Sequence, residues 1–296
     1  AEVKERTDRP FGVNFRADQP DLVERVRFVV DAGVKLVSFA GAPTKDAVAR
    51  CHDAGVLVMP TVGARRHAEK VLEMGVDAVI AQGGEGGGHT GPVPTTLLLP
   101  SVVDAVASSI PVLAAGGFFD GRGLVAALAY GADGIAMGTR FLLTRESRVP
   151  DAVKARYLEA SVTDTVVTTA LDGAPQRMIR TDVVDRIERS PALLRFPRAA
   201  AAALRFRKET GTSLRDLVRE GLAMHRNQGL TWSQVALAAN APMLIKATMV
   251  DGKPEVGVLP TGQVTGVVDE LPTVAELLAR IRDEAATALK DLQRWT

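Results

Sequence analysis

The chain has a single cysteine, Cys51. An intrachain disulfide is therefore impossible, and a metal centre built on thiolates is excluded. Aromatic residues make up only 4% of the 296 positions, too few to build stacking platforms for bases or sugars. No apolar run reaches the roughly 20 residues that a helix needs to cross a bilayer, so no membrane association is expected. The opening stretch AEVKERTDRP carries no apolar core of the kind found in secretion signals, and the expected location is the cytoplasm. Excess charge is missing as well: 36 basic residues face 35 acidic ones, for a net charge of +1. Nucleic-acid binding rests on neutralising phosphates, so no nucleic-acid partner is expected. The sequence contains no G-x-x-x-x-G-K-[ST] loop, no H-E-x-x-H and no G-x-S-x-G elbow. Nucleotide hydrolysis on a P-loop, zinc peptidase chemistry and serine hydrolysis thus have no support, and no metal ligands are assigned.

What is present is a globular composition, 46% hydrophobic and 24% charged, arranged as a repeat. Short β-rich runs alternate with helical stretches. The expected strands are Phe11–Phe15, Val34–Phe39, Val56–Thr61, Asp77–Gln82, Pro111–Ala115 and Gly134–Gly138. Between them lie expected helices at Pro20–Ala32, Thr44–Ala54, Ala64–Met74, Thr95–Ser109 and Gly121–Tyr130. Gly33, Gly55, Gly75 and Gly131 each stand just past a helix, where glycine relieves a left-handed turn. Strands alternating with helices at this spacing make βαβ units and a parallel sheet, hence an α/β fold. Six units are visible. A (β/α)8 TIM barrel needs eight, whereas a doubly wound open sheet can stop at six.

After Phe141 the pattern changes. Thr165–Thr169 and Arg177–Thr181 are spaced to form a hairpin across Gly173. Helical segments follow at Pro191–Thr210, Ser213–Asn227 and Thr231–Asn240. Gly252–Gly266 reads as a loop, and Thr273–Arg294 as an amphipathic helix. The expected organisation is a barrel with its cofactor site over 1–161, a mostly helical lobe over 162–240, and a C-terminal segment over 241–296 that packs back on the barrel.

The most informative segment is Ala81–Pro94, AQGGEGGGHTGPVP. Gly83, Gly84, Gly86, Gly87, Gly88 and Gly91 surround His89 directly after a strand. In a βα barrel this is a loop on the catalytic face. Dense glycine lets backbone approach a ligand closely, and histidine is the commonest general acid/base. Two further glycine sites stand one unit apart: Gly116–Gly117 after PVLAA, and Gly138–Thr139 after GIAMG. Backbone N–H groups at such turns bind phosphate, and barrel enzymes place that site after strands 7 and 8. This numbering makes the visible strands 3 to 8, favours the barrel over the open sheet, and leads to the expectation that two further βα units, roughly 45–60 residues at typical unit size, precede this sequence. Asn14, Ser38 and Gln82 are polar residues at or near strand ends that face the same side of a barrel. Glu85 is either a partner of His89 or exposed. His52, His67 and His225 fall in helical stretches and read as surface or structural residues.

These residues resemble the nitronate monooxygenase family, also called 2-nitropropane dioxygenase-like flavoproteins. The resemblance is carried by RPFGVNF, VSFAGAP, GVDAVIAQGGEGGGHTG and PVLAAGGFFDGRGLVAALAYGADGIAMGTRFLLTRES. These cover roughly Arg9–Ser147, and Gly262–Gln263 in PTGQVTG looks like a further family element. The resemblance implies an FMN-dependent barrel. By it Gly116, Gly117, Gly138 and Thr139 cradle the FMN phosphate, Asn14 and Gln82 contact the flavin together with Gly87 and Gly88, and His89 is the active-site histidine. Family members usually open with a P-M-x-G strand and a glycine-rich second strand, and neither occurs here. The nitronate-oxidising branch usually has arginine after the histidine, where this chain has Thr90. Flavin-dependent enoyl reductases share the G-G-H-x-G pattern and the G-T-R-F end, and the alanine- and arginine-rich helical lobe resembles an actinobacterial branch linked to steroid-ring catabolism on coenzyme A thioesters.

Three readings follow. The first is a monooxygenase that oxidises alkyl nitronates with O2, with His89 positioning the anion or taking the α-proton of a nitroalkane. The second is an FMN reductase or hydroxylase that uses NAD(P)H on an enoyl or steroid-derived CoA thioester. In it the basic stretch Arg177–Lys208, nine basic residues against three acidic ones, meets the coenzyme A phosphates. The third is a non-catalytic flavin- or phosphate-binding module. A small-molecule substrate is expected in either enzyme reading, and a homo-oligomer is compatible with all three.

Overall fold

A computed structural model describes residues 2–19, 21–189 and 241–295. The expected helices Pro191–Thr210, Ser213–Asn227 and Thr231–Asn240, His225 and the distal part of the basic stretch lie outside the described residues.

Helices and strands alternate from the start: α1 (Glu2–Arg6), β1 (Gly12–Arg16), α2 (Leu22–Asp31), β2 (Leu36–Ala40), α3 (Lys45–Asp53), β3 (Leu57–Val62), α4 (Arg65–Leu72) and β4 (Val79–Gln82). They continue with β5 (Gly88–His89), α5 (Thr95–Val106), β6 (Val112–Ala115), α6 (Gly121–Ala129), β7 (Gly134–Ala136) and the short α7 (Thr139–Leu142). Then come α8 (Asp151–Glu159), β8 (Thr165–Thr168), β9 (Gln176–Ile179), α9 (Asp182–Arg189), α10 (Ala241–Met249) and α11 (Val274–Leu292). All six expected βα strands are present, with ends shifted by one or two residues. Their order in the sheet is β1-β2-β3-β4-β6-β7, the sequential order of a βα barrel. The β1–β2 and β2–β3 pairs are parallel, with Asn14 opposite Ser38 and Ser38 opposite Met59. The edge strands β1 and β7 do not pair with each other, so the sheet is not closed.

Local sequence explains the elements. On α2, Leu22, Val26 and Val29 recur at four- and three-residue spacing and are buried. Thr44 caps α3 by accepting the Ala47 N–H at 3.2 Å. Aspartates that follow the helix-ending glycines tie neighbouring strands together. Asp77 Oδ2 accepts the Val58 N–H at 2.7 Å, and Asp133 Oδ2 accepts the Val112 N–H at 2.8 Å. Asp77 also receives His52 Nε2 at 3.0 Å, so His52 is a half-exposed structural residue, and His67 is exposed.

The chain forms two compact units. The first comprises Ala1–Gln82, Thr95–Ala114 and Ala127–Ile135, and the second Gly83–Pro94, Ala115–Ala126 and Ala136–Thr296. The first unit holds most of the parallel sheet and its covering helices. The second gathers the segments that follow β4, β6 and β7 together with the described C-terminal part.

In the second unit β8 and β9 form the expected antiparallel hairpin, with Thr165 opposite Ile179 and Thr168 opposite Gln176. The sequence predicts a loop throughout the glycine segment. Instead it contributes the two-residue strand β5, which pairs antiparallel with β9. Two apolar clusters hold this unit. One joins Leu143, Val153, Tyr157, Ile179, Leu259 and Val268, and the other Leu171, Met178, Val183, Val184, Ala241 and Val258. The α11 helix starts on a capping box between Thr273 and Glu276 and buries Leu277, Ile281 and Ala285.

Candidate active site

Within the second unit the glycine segment is held from three sides. Gly84 N–H donates to Val93 O at 2.7 Å, and Thr90 Oγ1 donates to Gly83 O at 3.1 Å. Thr90, which stands where arginine was usual, therefore folds the segment on itself. From the hairpin, Arg177 donates to Gly84 O through Nε at 3.1 Å and Nη2 at 2.9 Å. From the PTGQ element, Gln263 N–H donates to Glu85 O at 3.0 Å. A β-carbon on Gly87 would overlap the backbone of Thr261 and Gly262, so only glycine permits this approach. Thr139 Oγ1 accepts the Gly262 N–H at 2.9 Å. Tyr157 Oη donates to Pro260 O at 2.8 Å, and burial pushes that phenol far above its ordinary range. Sequence elements separated by more than a hundred residues thus meet at one place.

His89 sits on β5 opposite Gln176 of β9. Its Nε2 lies 2.8 Å from Asp172 Oδ2. The His89 side chain is 47% exposed and that of Asp172 9%, so an open imidazole rests on a buried carboxylate. Asp172 Oδ2 also accepts Gln176 Nε2 at 2.6 Å, and Oδ1 accepts the Ala174 N–H at 3.1 Å. Burial alone would push this carboxyl up. The hydrogen bonds from His89 and Gln176, the charge on His89 and the Ala174 N–H outweigh it and hold the group below its ordinary value. Asp172, Gln176 and Arg177 are functional candidates that the motifs did not single out. The only sequence signal for Asp172 is the Asp-Gly pair at the hairpin turn, a turn-forming dipeptide. A carboxylate that meets His89 is that of Asp172, and the Glu85 side chain lies near Gly117 and in the field of Arg177.

The glycine pairs have backbone that a side chain would rarely adopt or that lies open. Gly116 and Gly117 have φ of 90° and 88°, a left-handed backbone that favours glycine. Gly138 precedes α7, and a β-carbon there would meet nothing within 4 Å; the same holds at Gly88. The residues present therefore fit a phosphate approached by backbone. In the first unit Gln82 is the last residue of β4, as expected. Asn14 lies at the middle of β1, not at its end, and accepts Ser38 Oγ at 2.9 Å. The described basic side chains of the Arg177–Lys208 stretch are largely engaged. Arg177 holds the glycine segment, Arg180 pairs with Asp185 at 2.9 Å and Arg189 with Asp185 at 3.4 Å.

The sequence model of the family described as nitronate monooxygenase matches residues 21–284. A Mycobacterium tuberculosis protein named (3aS,4S,5R,7aS)-5-hydroxy-7a-methyl-1-oxo-octahydro-1H-indene-4-carboxyl-CoA dehydrogenase is 55% identical over 289 residues, covering 97% of this chain and 81% of the relative. A Rhodococcus jostii protein of the same name is 53% identical, covering 96% and 80%. A probable nitronate monooxygenase of Staphylococcus saprophyticus is 34% identical over 60% of this chain and 56% of its own length. Among solved structures, FabK from Thermotoga maritima superposes with a TM-score of 0.77 at 31% identity, covering 100% of this chain and 82% of FabK. The nitroalkane oxidase of Streptomyces ansochromogenes does so with 0.72 at 28%, covering 98% and 84%. These likenesses agree with the six-stranded barrel-type sheet and set aside the non-catalytic reading. The chain belongs to the nitronate monooxygenase family and is a flavin-dependent oxidoreductase.

Proposed function

We propose that the chain is an FMN-dependent dehydrogenase acting on the coenzyme A thioester of a fused-ring carboxylic acid. The observation that carries this reading is the identity of 55% and 53%, over nearly the whole chain, to two relatives named for such a thioester. The probable nitronate monooxygenase matches at 34% and over a shorter span. Thr90 in place of the usual arginine supports the same choice.

The backbone of Gly116–Gly117 and Gly138–Thr139 is assigned to the FMN phosphate, and Gly87 and Gly88 to close contact with the cofactor. Asn14 and Gln82 are assigned to the flavin ring by the family resemblance. FMN, when bound, takes up the electron pair that the substrate gives up. The protein's own part is proton handling and orientation. A thioester carbonyl acidifies the adjacent C–H, and His89 accepts that proton; general base groups contribute about 10²–10⁴-fold. The glycine segment, pinned by Arg177 and Thr90, keeps the imidazole in place. Nitronate oxidation is the second reading, favoured by the family's own description.

The test is anaerobic flavin bleaching. An indane-type carboxyl-CoA thioester should bleach the blue absorbance band quickly, and His89→Ala should retain the band while losing most of that rate. Bleaching by an alkyl nitronate but not by the thioester would install the second reading. Bleaching by NADH or NADPH, followed by turnover of an enoyl thioester, would assign the reductive direction.

A further inference from the structure

The carboxylate beneath His89 is surrounded by donors. Gln176 Nε2 and the Ala174 N–H each bring a hydrogen to Asp172 at 2.6 and 3.1 Å. An ionised carboxylate only accepts, so the His89 nitrogen facing it at 2.8 Å must also bring a hydrogen. A neutral imidazole has one N–H. If Nε2 carries it, the lone pair lies on Nδ1.

The framework that enforces this contact is the main-chain ladder. Gly88 pairs with Arg177 and His89 with Gln176. Thr90 N–H donates to Pro175 O at 3.1 Å, and Gly173 N–H closes the turn on Thr169 O at 2.9 Å. Imidazole, amide and carboxylate therefore ride on two paired strands and the turn between β8 and β9. The carboxylate cannot swing away without breaking buried hydrogen bonds, since Gln176 is 3% exposed and Asp172 8%.

We propose that Asp172 is a positioning residue for His89: it fixes the neutral imidazole as the Nε2–H tautomer and makes Nδ1 the nitrogen that takes the substrate proton. The inference rests on the role given to His89 in the proposed function. In the step, the substrate C–H bond breaks, its electron pair stays on the carbon, and the proton forms an N–H bond at Nδ1. Nε2 keeps its hydrogen throughout. The imidazolium so formed faces a buried anion, the orienting role that a carboxylate plays behind a catalytic histidine.

The test is the ring nitrogen pattern of His89, read by long-range ¹H–¹⁵N correlation on the ¹⁵N-labelled protein and assigned by its loss in His89→Gln. The wild type should show the Nε2–H tautomer. A wild type with the Nδ1–H tautomer overturns the proposal without any variant. In Asp172→Asn the amide oxygen best serves the Ala174 N–H, so the NH2 group turns to the position that now receives His89 and Gln176. The tautomer should then change to Nδ1–H, and kcat should fall by up to about 10⁴-fold, the cost of holding a catalytic histidine in the wrong tautomer, with KM changed far less. Asp172→Glu should restore part of the tautomer and of kcat. Unchanged nitrogen shifts in a folded Asp172→Asn overturn the proposal. A tautomer that responds as expected in a protein inert toward the thioester sustains the positioning role and sinks the proposed substrate instead.

Discussion

Arg177 and Gly84 are joined by two guanidinium hydrogen bonds to one carbonyl, at 3.1 and 2.9 Å, while Nη1 of the same side chain reaches Thr165 Oγ1 at 2.9 Å. One side chain thus fastens the glycine segment to both strands of the hairpin. Lysine offers a single point of attachment and cannot span these acceptors. Arg177→Lys should cost about 1.5–3 kcal/mol, the worth of hydrogen bonds to a charged group. It should also expose the segment around Gly84 to limited proteolysis. Urea unfolding and peptide mapping check both. Unchanged stability and an uncut segment would show that the ladder of β5 alone holds the loop.

The backbone at Gly116 and Gly117 makes a sharper test of the cradle. Both have φ near 90°, where a side chain costs about 1–2 kcal/mol. A β-carbon at Gly116 would also stand 2.9 Å from Gly83 O. Gly117 is roomier, its nearest neighbour being the Glu85 side chain at 3.7 Å. Gly116→Ala should therefore destabilise the fold itself. Gly117→Val should chiefly weaken flavin retention, read as the ratio of blue to 280 nm absorbance after gel filtration. Full retention in Gly117→Val would move the phosphate elsewhere.

The parallel sheet was legible because its signals are local. Gly33, Gly55, Gly75 and Gly131 all adopt positive φ, between 67° and 91°, and each fixes where a helix stops and a strand begins. The position of His89 in a glycine segment at the end of β4 was legible for the same reason. Its partner was not. Asp172 lies 83 residues away in the chain, and only the pairing of β5 with β9 brings the two together. A two-residue strand among glycines has no period to read. In the sequence Arg177 reads as one member of a basic stretch, where charge alone points to phosphate; its hydrogen bonds to Gly84 O are a product of the hairpin register. Thr261–Gln263 was visible as a family element, but its contact with Gly87 follows from packing that no local pattern encodes.

Cys51 is fully buried on α3. Burial, with the nearby negative charge of Asp77, pushes its thiol up to about 11 from an ordinary 9.0. The thiolate is the reactive form, so the native protein should react with a disulfide reagent at pH 8 no faster than it unfolds. Urea should release one thiol per chain. The raised value also has a sign for stability: the contribution is complete below 9.0 and is lost as pH rises toward about 11. Cys51→Ala should remove that part of the alkaline loss. Rapid labelling of the folded protein would contradict the packing of α3.

Asp172 gives the opposite sign at the acid end. Its carboxyl is held below the ordinary 3.8 because the donors His89, Gln176 and Ala174 outweigh the penalty of burial. A depressed folded value means that the unfolded chain takes up the proton first. The stabilisation is therefore present above 3.8 and is lost as pH falls through the folded value beneath it. Asp172→Asn should be less stable than the wild type at neutral pH, and the gap should close as the solution is acidified past that range. Asp164 is also depressed, through the Ser161 backbone and side chain, but it is exposed at the surface. Asp164→Asn should show a much smaller gap. Chemical denaturation at a series of pH values separates the two. A gap at Asp172 that stays constant down to the acid limit would mean that the loss comes from the amide's altered packing and not from the charge of the carboxylate.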